Sequence, residues 1–253
     1  MKVISFHLKG KMAHFRKFYS NSSALSYFIP PRTTICGIIA GLLGIERDEY
    51  YDDFSLDNCK IALASLKPTK KSIQKLNYLM VKSSNDLNGS QEHHSQTPTE
   101  LIIPQNIRTG FIDYKIWVYH KKENIMTKLI DILKNQGCFY KSLGACIALG
   151  SAFNLGWIEF DGEYEGIEVK GLSDEPISSS VPVEKIKDIK LEKIQGTQCK
   201  LIKEEVPLEF DKDRCITSRG LKEVLTNIDG GSIPAVVNSF IRLNNKEIIV
   251  WME

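Results

Sequence analysis

The chain opens on alternation. Ile4, Phe6 and Leu8 fall on one side, and Val3, Ser5 and His7 on the other, so residues 2–8 are predicted to form a strand. A polar, aromatic-rich loop follows, and Pro30 and Pro31 stiffen the chain just before a helix. In that helix Ile35, Ile38, Ile39, Leu42 and Leu43 recur at the three-and-four spacing of a buried stripe, with Thr33 or Thr34 placed to cap it. Gly37, Gly41 and Gly44 form a second stripe, and each costs a helix about 1 kcal/mol relative to alanine. Tight packing of this face on a sheet is the expected reason.

Further along, residues 61–66, 101–103 and 111–119 read as strands, and residues 83–99 as a polar, mobile excursion. Ile125, Leu129, Ile132 and Leu133 predict an amphipathic helix over 124–135. A glycine-punctuated segment, 137–156, leads to a strand at 157–160. The order strand, helix, strand, strand, helix, strand predicts an α+β fold of the ferredoxin-like (RRM-like) βαββαβ plan. Residues 1–161 would form that domain, interrupted by an insertion at about 67–110, and residues 162–253 a smaller β-rich region. Within the latter, 218–227 reads as a short helix and 240–251 as a hairpin turning at Asn244 and Asn245.

Composition changes this picture little, with 42% hydrophobic and 25% charged residues typical of a globular chain. The longest apolar run, 35–45, is too short for a bilayer span of about 20 residues, and the first residues read as a strand rather than a signal peptide. The six cysteines lie far apart with no C-x-x-C pair, which reads as idle thiols in a reducing cytoplasm. Net charge is only +2, but its distribution matters more. Lys2, Lys9, Lys11, Arg16, Lys17 and Arg32 all precede residue 46, and no acidic residue stands among them. A partner met at one basic face is the expectation.

Three constellations could carry chemistry. In the first, Lys9, Lys11, His14, Arg16, Lys17 and Tyr19 interleave cations with aromatics, so phosphates and bases could both be held, unless Phe15 and Phe18 simply fill the core. The second is the helix start at Arg32, Thr33 and Thr34, where unpaired N–H groups, a guanidinium and hydroxyls suit a phosphate; a plain cap is the alternative. The third is the glycine-rich run 139–150 with Lys141 and Ser142, which lacks the G-x-x-x-x-G-K-[ST] pattern of a nucleotide loop. Close backbone approach to RNA and an ordinary turn both fit it. The five histidines show no metal-ligand spacing, so neither metal nor cofactor is expected.

The stretch G-K-M-A-H-F-R-K-F-Y, with Tyr27 following and then I-P-P-R-T-T-I-C-G-I-I-A-G-L-L-G, resembles the amino-terminal signature of the CRISPR-associated protein 5 family, and F-Y-K-S-L-G resembles its later leucine-glycine segment. Type I-B is the nearest subtype. The resemblance implies a ferredoxin-like RAMP core with a thumb-like insertion, here 67–110 with Arg108. It also implies a role as the Cascade subunit that grips the 5′ handle of crRNA and caps the filament in antiviral defence. The implied partners are the backbone subunit, the large subunit and, indirectly, target DNA, with no membrane. Carried onto this chain, the handle contacts would come from Lys11, His14, Arg16, Lys17 and residues 32–34, with Lys141 and Ser142 behind them. One branch of the family is a metal-independent ribonuclease using tyrosine, lysine and histidine. Tyr50 or Tyr51, His120 and Lys121 are the residues here of those types, in a His-Lys order that departs from that pattern.

Overall fold

In a computed structural model of the chain, the opening alternation becomes β1, Lys2–Gly10, whose Ile4, Phe6 and Leu8 are fully buried. The structure describes all residues except 21–22, 80, 82, 89–93, 136–146, 174, 191 and 193–198. Helix α1, Arg32–Leu42, lays Ile35, Ile39 and Leu42 against β1, as the stripe predicts. It begins earlier than a threonine cap would allow. Its N-cap is Pro31 with no side-chain hydrogen bond, so the expected capping by Thr33 or Thr34 does not occur.

Strand β2, Cys59–Ser65, is followed by a two-stranded ribbon, β3 (Thr69–Leu79) and β4 (His94–Pro104), inside the span read as an insertion. The polar stretch 83–99 is therefore not one loose excursion, since β4 begins within it. Next come β5, Ile112–His120, helix α2, Glu123–Asn135, and β6, Leu155–Lys170. The strands β6, β1, β5 and β2 lie in that order, every neighbour antiparallel. Both helices cover one face, where Ile125, Met126, Leu129 and Leu133 of α2 join the α1 stripe in a single core. The fold is thus mixed, strand-rich and built with few helices.

β6 runs through residues 161 and 162, and its far half pairs with Ser239–Leu243, which turns back into Ile248–Ile249. This hairpin carries Ile241, Leu243 and Ile249 over Val3, Ala62 and Trp117 on the opposite face of the sheet. The free edge of β2 is closed as well, by Met252 N–H donating to Ile61 O and Ser180 N–H to Leu63 O. An open edge would be an aggregation hazard, and the curled sheet leaves none there.

Two expectations fail. Residues 218–227 form no helix: Leu221–Asn227 is a strand paired with Leu201–Pro207. Leu221, Val224 and Leu225 imitate helical spacing because alternate residues feed different cores, Val224 the helix-side core and Leu225 a second one with Val181 and Val237. The glycine stripe of α1 does not pack on the sheet either. A Cβ at Gly41 would meet nothing within 4 Å, and one at Gly37 only the Tyr50 ring. Gly44 has its own reason, a φ of 71° that ends the helix with Gly44 N–H bonded to Gly41 O and Ile45 N–H to Ala40 O.

Arg32 is the polar centre of this architecture. Its side chain is 1% exposed and donates to the carbonyls of Leu208, Phe54, Ser55 and Cys59 at 2.8, 3.0, 3.1 and 2.5 Å. Most of those carbonyls stand in turns or at strand ends, where a buried acceptor needs a donor. Arg32→Ala should therefore cost about 3–5 kcal/mol in urea unfolding, because it strands several buried acceptors at once. Arg32→Lys, which keeps the charge without the planar fork, should fall between it and wild type. A loss under about 1 kcal/mol for Arg32→Ala would refute this role.

Candidate nucleic-acid interface

The loop between β1 and α1 is stitched to the base of the ribbon. Ala13 exchanges both backbone hydrogen bonds with Ile102 of β4, Ala24 N–H donates to Pro98 O, and Glu100 N–H returns to Ala24 O. Glu100 also accepts from Ser26 N–H at 2.9 Å, and its carbonyl accepts from the His14 ring at Nδ1, 2.7 Å away. Since a carbonyl can only accept, His14 donates from Nδ1. Within the loop, Phe15–Arg16 pairs with Ser26–Tyr27, burying Phe15 against Tyr114 and turning Arg16 outward.

These contacts leave a cleft of about 530 Å³ beside the outer part of the ribbon, lined by His14, Phe15, Arg16, Ala24, Thr34, Tyr78, Thr97, Gly150 and Ser151. Gly150 holds one wall. Its φ is +90°, and a Cβ there would fall on the carbonyl oxygen of His14. The close approach expected of the glycine-rich run is therefore made, at this position, to the protein's own backbone. Gly150→Ala should lower the urea midpoint and weaken whatever the cleft holds; a variant as stable as wild type would show that this wall can give way.

Burial and pairing divide the predicted contacts. Among the six amino-terminal cations, Lys2 pairs with Glu163 at 2.6 Å, Lys9 with Glu159, and Lys17 with Glu204 at 3.1 Å. Burial works against the Lys17 charge, yet the Glu204 carboxylate beside it holds its pKa above the ordinary lysine value. Arg32 is committed to the core, and Tyr27 is fully buried, its pKa driven up by desolvation. Neither can touch a ligand without unfolding its surroundings, so both are corrected to structural residues.

Only Lys11 and Arg16 of the six are exposed without a carboxylate partner among the described residues. They donate to the carbonyls of Gly110 and Ser20 at 2.7 and 3.0 Å. The acid-free stretch of sequence is thus not an acid-free surface. Arg108 is exposed on the turn that Lys11 reaches, and Tyr19 and Phe18 are exposed beside the cleft loop. Phe18 therefore does not fill the core. Thr34 joins the cleft, whereas Thr33 faces Tyr50, Tyr51 and Phe210 on another side. Lys141 and Ser142 lie outside the described residues. Tyr78, Thr97 and Ser151 line the cleft without having been foreseen, because nothing in sequence spacing shows which end of a ribbon meets the amino-terminal loop.

A family model described as "CRISPR-associated protein (Cas_Cas5)" matches residues 3–145, more than half of the chain. The chain belongs to that family. Among solved structures, a CRISPR protein from Archaeoglobus fulgidus superposes over 99% of both chains with a TM-score of 0.58 at 13% identity, a likeness of fold. A chain described as "CRISPR RNA-guided surveillance complex" aligns with a TM-score of 0.45 at 11% identity, over 92% of this chain and 91% of its own. No curated protein matches. Among the described residues no helix is long and apolar enough to cross a membrane, and no cluster of three or more histidine, cysteine or acidic side chains gathers as metal ligands do.

The residue types of the family's ribonuclease branch are present in this member but not arranged for that chemistry. His120 is 3% exposed, with Nε2 bonded to Asp53 O at 2.8 Å and Nδ1 accepting from Lys122 N–H at 2.9 Å. Both ring nitrogens are engaged by backbone, and the Phe54 ring stands against both His120 and Tyr50. Burial pushes the Tyr50 hydroxyl up to about 12, too high for a general base at neutral pH. Tyr51 gives its hydroxyl to Asp48, and Lys121 is exposed. A ring fixed in this way is a structural one.

Burial also lowers the His120 pKa below its usual value, so the folded state disfavours the protonated ring. The stability this contributes is complete above the unfolded pKa of about 6.5 and is lost as pH falls through the lower folded value. Wild type should accordingly lose more urea stability than His120→Asn between about pH 7 and pH 5. Equal losses would mean the ring titrates alike folded and unfolded.

Proposed function

We propose that this chain is a non-catalytic, RNA-binding subunit of a type I CRISPR surveillance (Cascade) complex, which grips the 5′ handle of crRNA and caps the backbone filament. The observation that carries this reading is the cleft between the amino-terminal loop and the ribbon. There Arg16 stands with His14, Thr34 and Tyr78, and Lys11, the other amino-terminal cation without a carboxylate partner among the described residues, lies on the same loop outside the cleft. Ammonium and guanidinium groups answer phosphates, and exposed rings answer unpaired bases.

The strand order β6–β1–β5–β2 with both helices on one face supports a ferredoxin-like RAMP core for residues 1–161. The β3–β4 ribbon serves as its thumb. Residues 162–253 act as a brace: Glu204 receives Phe28 N–H at 2.8 Å and pairs with Lys17 and Lys71, holding the loop and the ribbon in one setting. The neighbours in the complex would be the backbone and large subunits, with target DNA met indirectly, in the cytoplasm. The type I-B subtype rests on the amino-terminal motif.

Lys11→Ala and Arg16→Ala should each weaken binding of handle RNA about 5- to 20-fold at low salt, and each should reduce the salt slope by about 0.7. Anisotropy titrations at several salt concentrations, beside unchanged urea midpoints, read both effects. If the double variant binds handle RNA with wild-type affinity and slope, the cleft is not where phosphates are held.

A further inference from the structure

A second surface lies next to the cleft, at the Gly10 end of β1, on the sheet face away from the helices. Trp157 is opposite Lys9 in the ladder, and its ring is 40% exposed, whereas Trp117 and Trp251 are 1% and 7% exposed. An exposed indole costs free energy in water, and this one is held rigidly. Its Nε1–H donates to Glu159 at 2.9 Å, and the Phe111 ring braces it with centroids 5.9 Å apart. Two ammonium groups attend the pair, Lys67 at 3.3 Å and Lys9 at 5.4 Å from the Phe111 centroid. Lys9 also neutralises Glu159, the nearest carboxylate to the indole.

This surface is tied to the cleft wall through the backbone. Gly156 is opposite Gly10, and a Cβ on Gly156 would press on Leu149. Leu149 O in turn accepts His14 N–H at 2.9 Å. Lys11 sits over the join, bonded to the carbonyl of Gly110 beside Phe111. Cations over a ring and a pinned indole with an open side suit one occupant, a nucleotide: a flat base on the indole with its phosphates toward Lys11 and Lys67.

We propose that Trp157, braced by Phe111 and flanked by Lys9, Lys11 and Lys67, is a stacking site for an unpaired base of the RNA strand leaving the cleft. This rests on the RNA-binding reading above and extends its contacts to a part of the sheet with no place in the family motif. It makes Trp157 a binding residue.

The experiment uses the full chain and a short single-stranded oligoadenylate, followed by anisotropy and by tryptophan emission. Because the other two indoles are buried, quenching on titration reports Trp157. Wild type should be quenched as it binds. Trp157→Ala should bind about 5- to 100-fold more weakly. Trp157→Phe, which keeps a ring, should retain most of the affinity while losing the quench; it also guards against a folding defect in the alanine variant. If Trp157→Ala binds like wild type while Arg16→Ala binds weakly, the stacking site is wrong and the cleft stands. If neither substitution matters, or the RNA does not bind, both readings fall. Protection of Trp157 by a protein partner alone, with none from RNA, would likewise overturn the stacking site and make it a protein interface.

Discussion

A single buried guanidinium sets the frame on which this molecule is hung. Arg32 stands at the first position of α1 and reaches the turn at Phe54 and Ser55, the start of β2 at Cys59, and Leu208 at the end of the strand Leu201–Pro207. It thereby ties the amino-terminal core to the carboxyl-terminal region. Glu253 comes within 4.0 Å of its Nε from a third direction. Burying such a cation is costly unless its donors are filled, so once in place it resists any rearrangement that would empty them. The orientation of α1, and with it the position of Thr34 in the cleft, follows from that resistance.

The same economy shapes the basic segment. A chain that puts six cations before its first acid seems built to meet polyanions, but folding returns carboxylates from distant strands to three of them. Glu163 and Glu159 come from β6, and Glu204 from the strand Leu201–Pro207. These pairs fix the sheet and the loop, and what they leave uncommitted is narrow: Lys11, Arg16 and the turn carrying Arg108. A small, placed set of cations recognises one strand in one register, where a broad field would attract any nucleic acid.

Sequence periodicity was most informative where an element feeds one core. α1 and α2 each bury a single face in the same core, and their patterns read directly as structure. Leu221–Asn227 was misread because its two faces supply two cores, which blurs a period of two into one near three and a half. Arg32 illustrates the converse difficulty. A basic residue after two prolines looks like a ligand contact, and only the arrival of carbonyls from residues 54–59 and 208 reveals it as a core group. Of the cleft, His14, Arg16 and Thr34 were visible as residue types in a promising segment. Tyr78 and Ser151 come from chain regions that meet the loop only through tertiary structure.

The sheet face away from the helices shows how route and rigidity are reconciled. Its Val3 end is apolar and sealed by the hairpin. Its middle is a polar lattice: His7 hydrogen-bonded to Asp113 at 2.7 Å, and Lys115 paired with Asp161 at 3.0 Å and Glu247 at 2.7 Å. Burial weighs against the Lys115 charge, yet those two carboxylates keep its pKa raised. Phosphates brought over this middle zone would face Asp113, Asp161 and Glu247 with their cations already spoken for, so it repels a polyanion while stiffening the strands. On the RNA-binding reading proposed above, a strand in the cleft would be turned away from the centre of the sheet. It would be left with the Gly10 end, where the glycines let backbones close up and Lys11 and Lys67 stand.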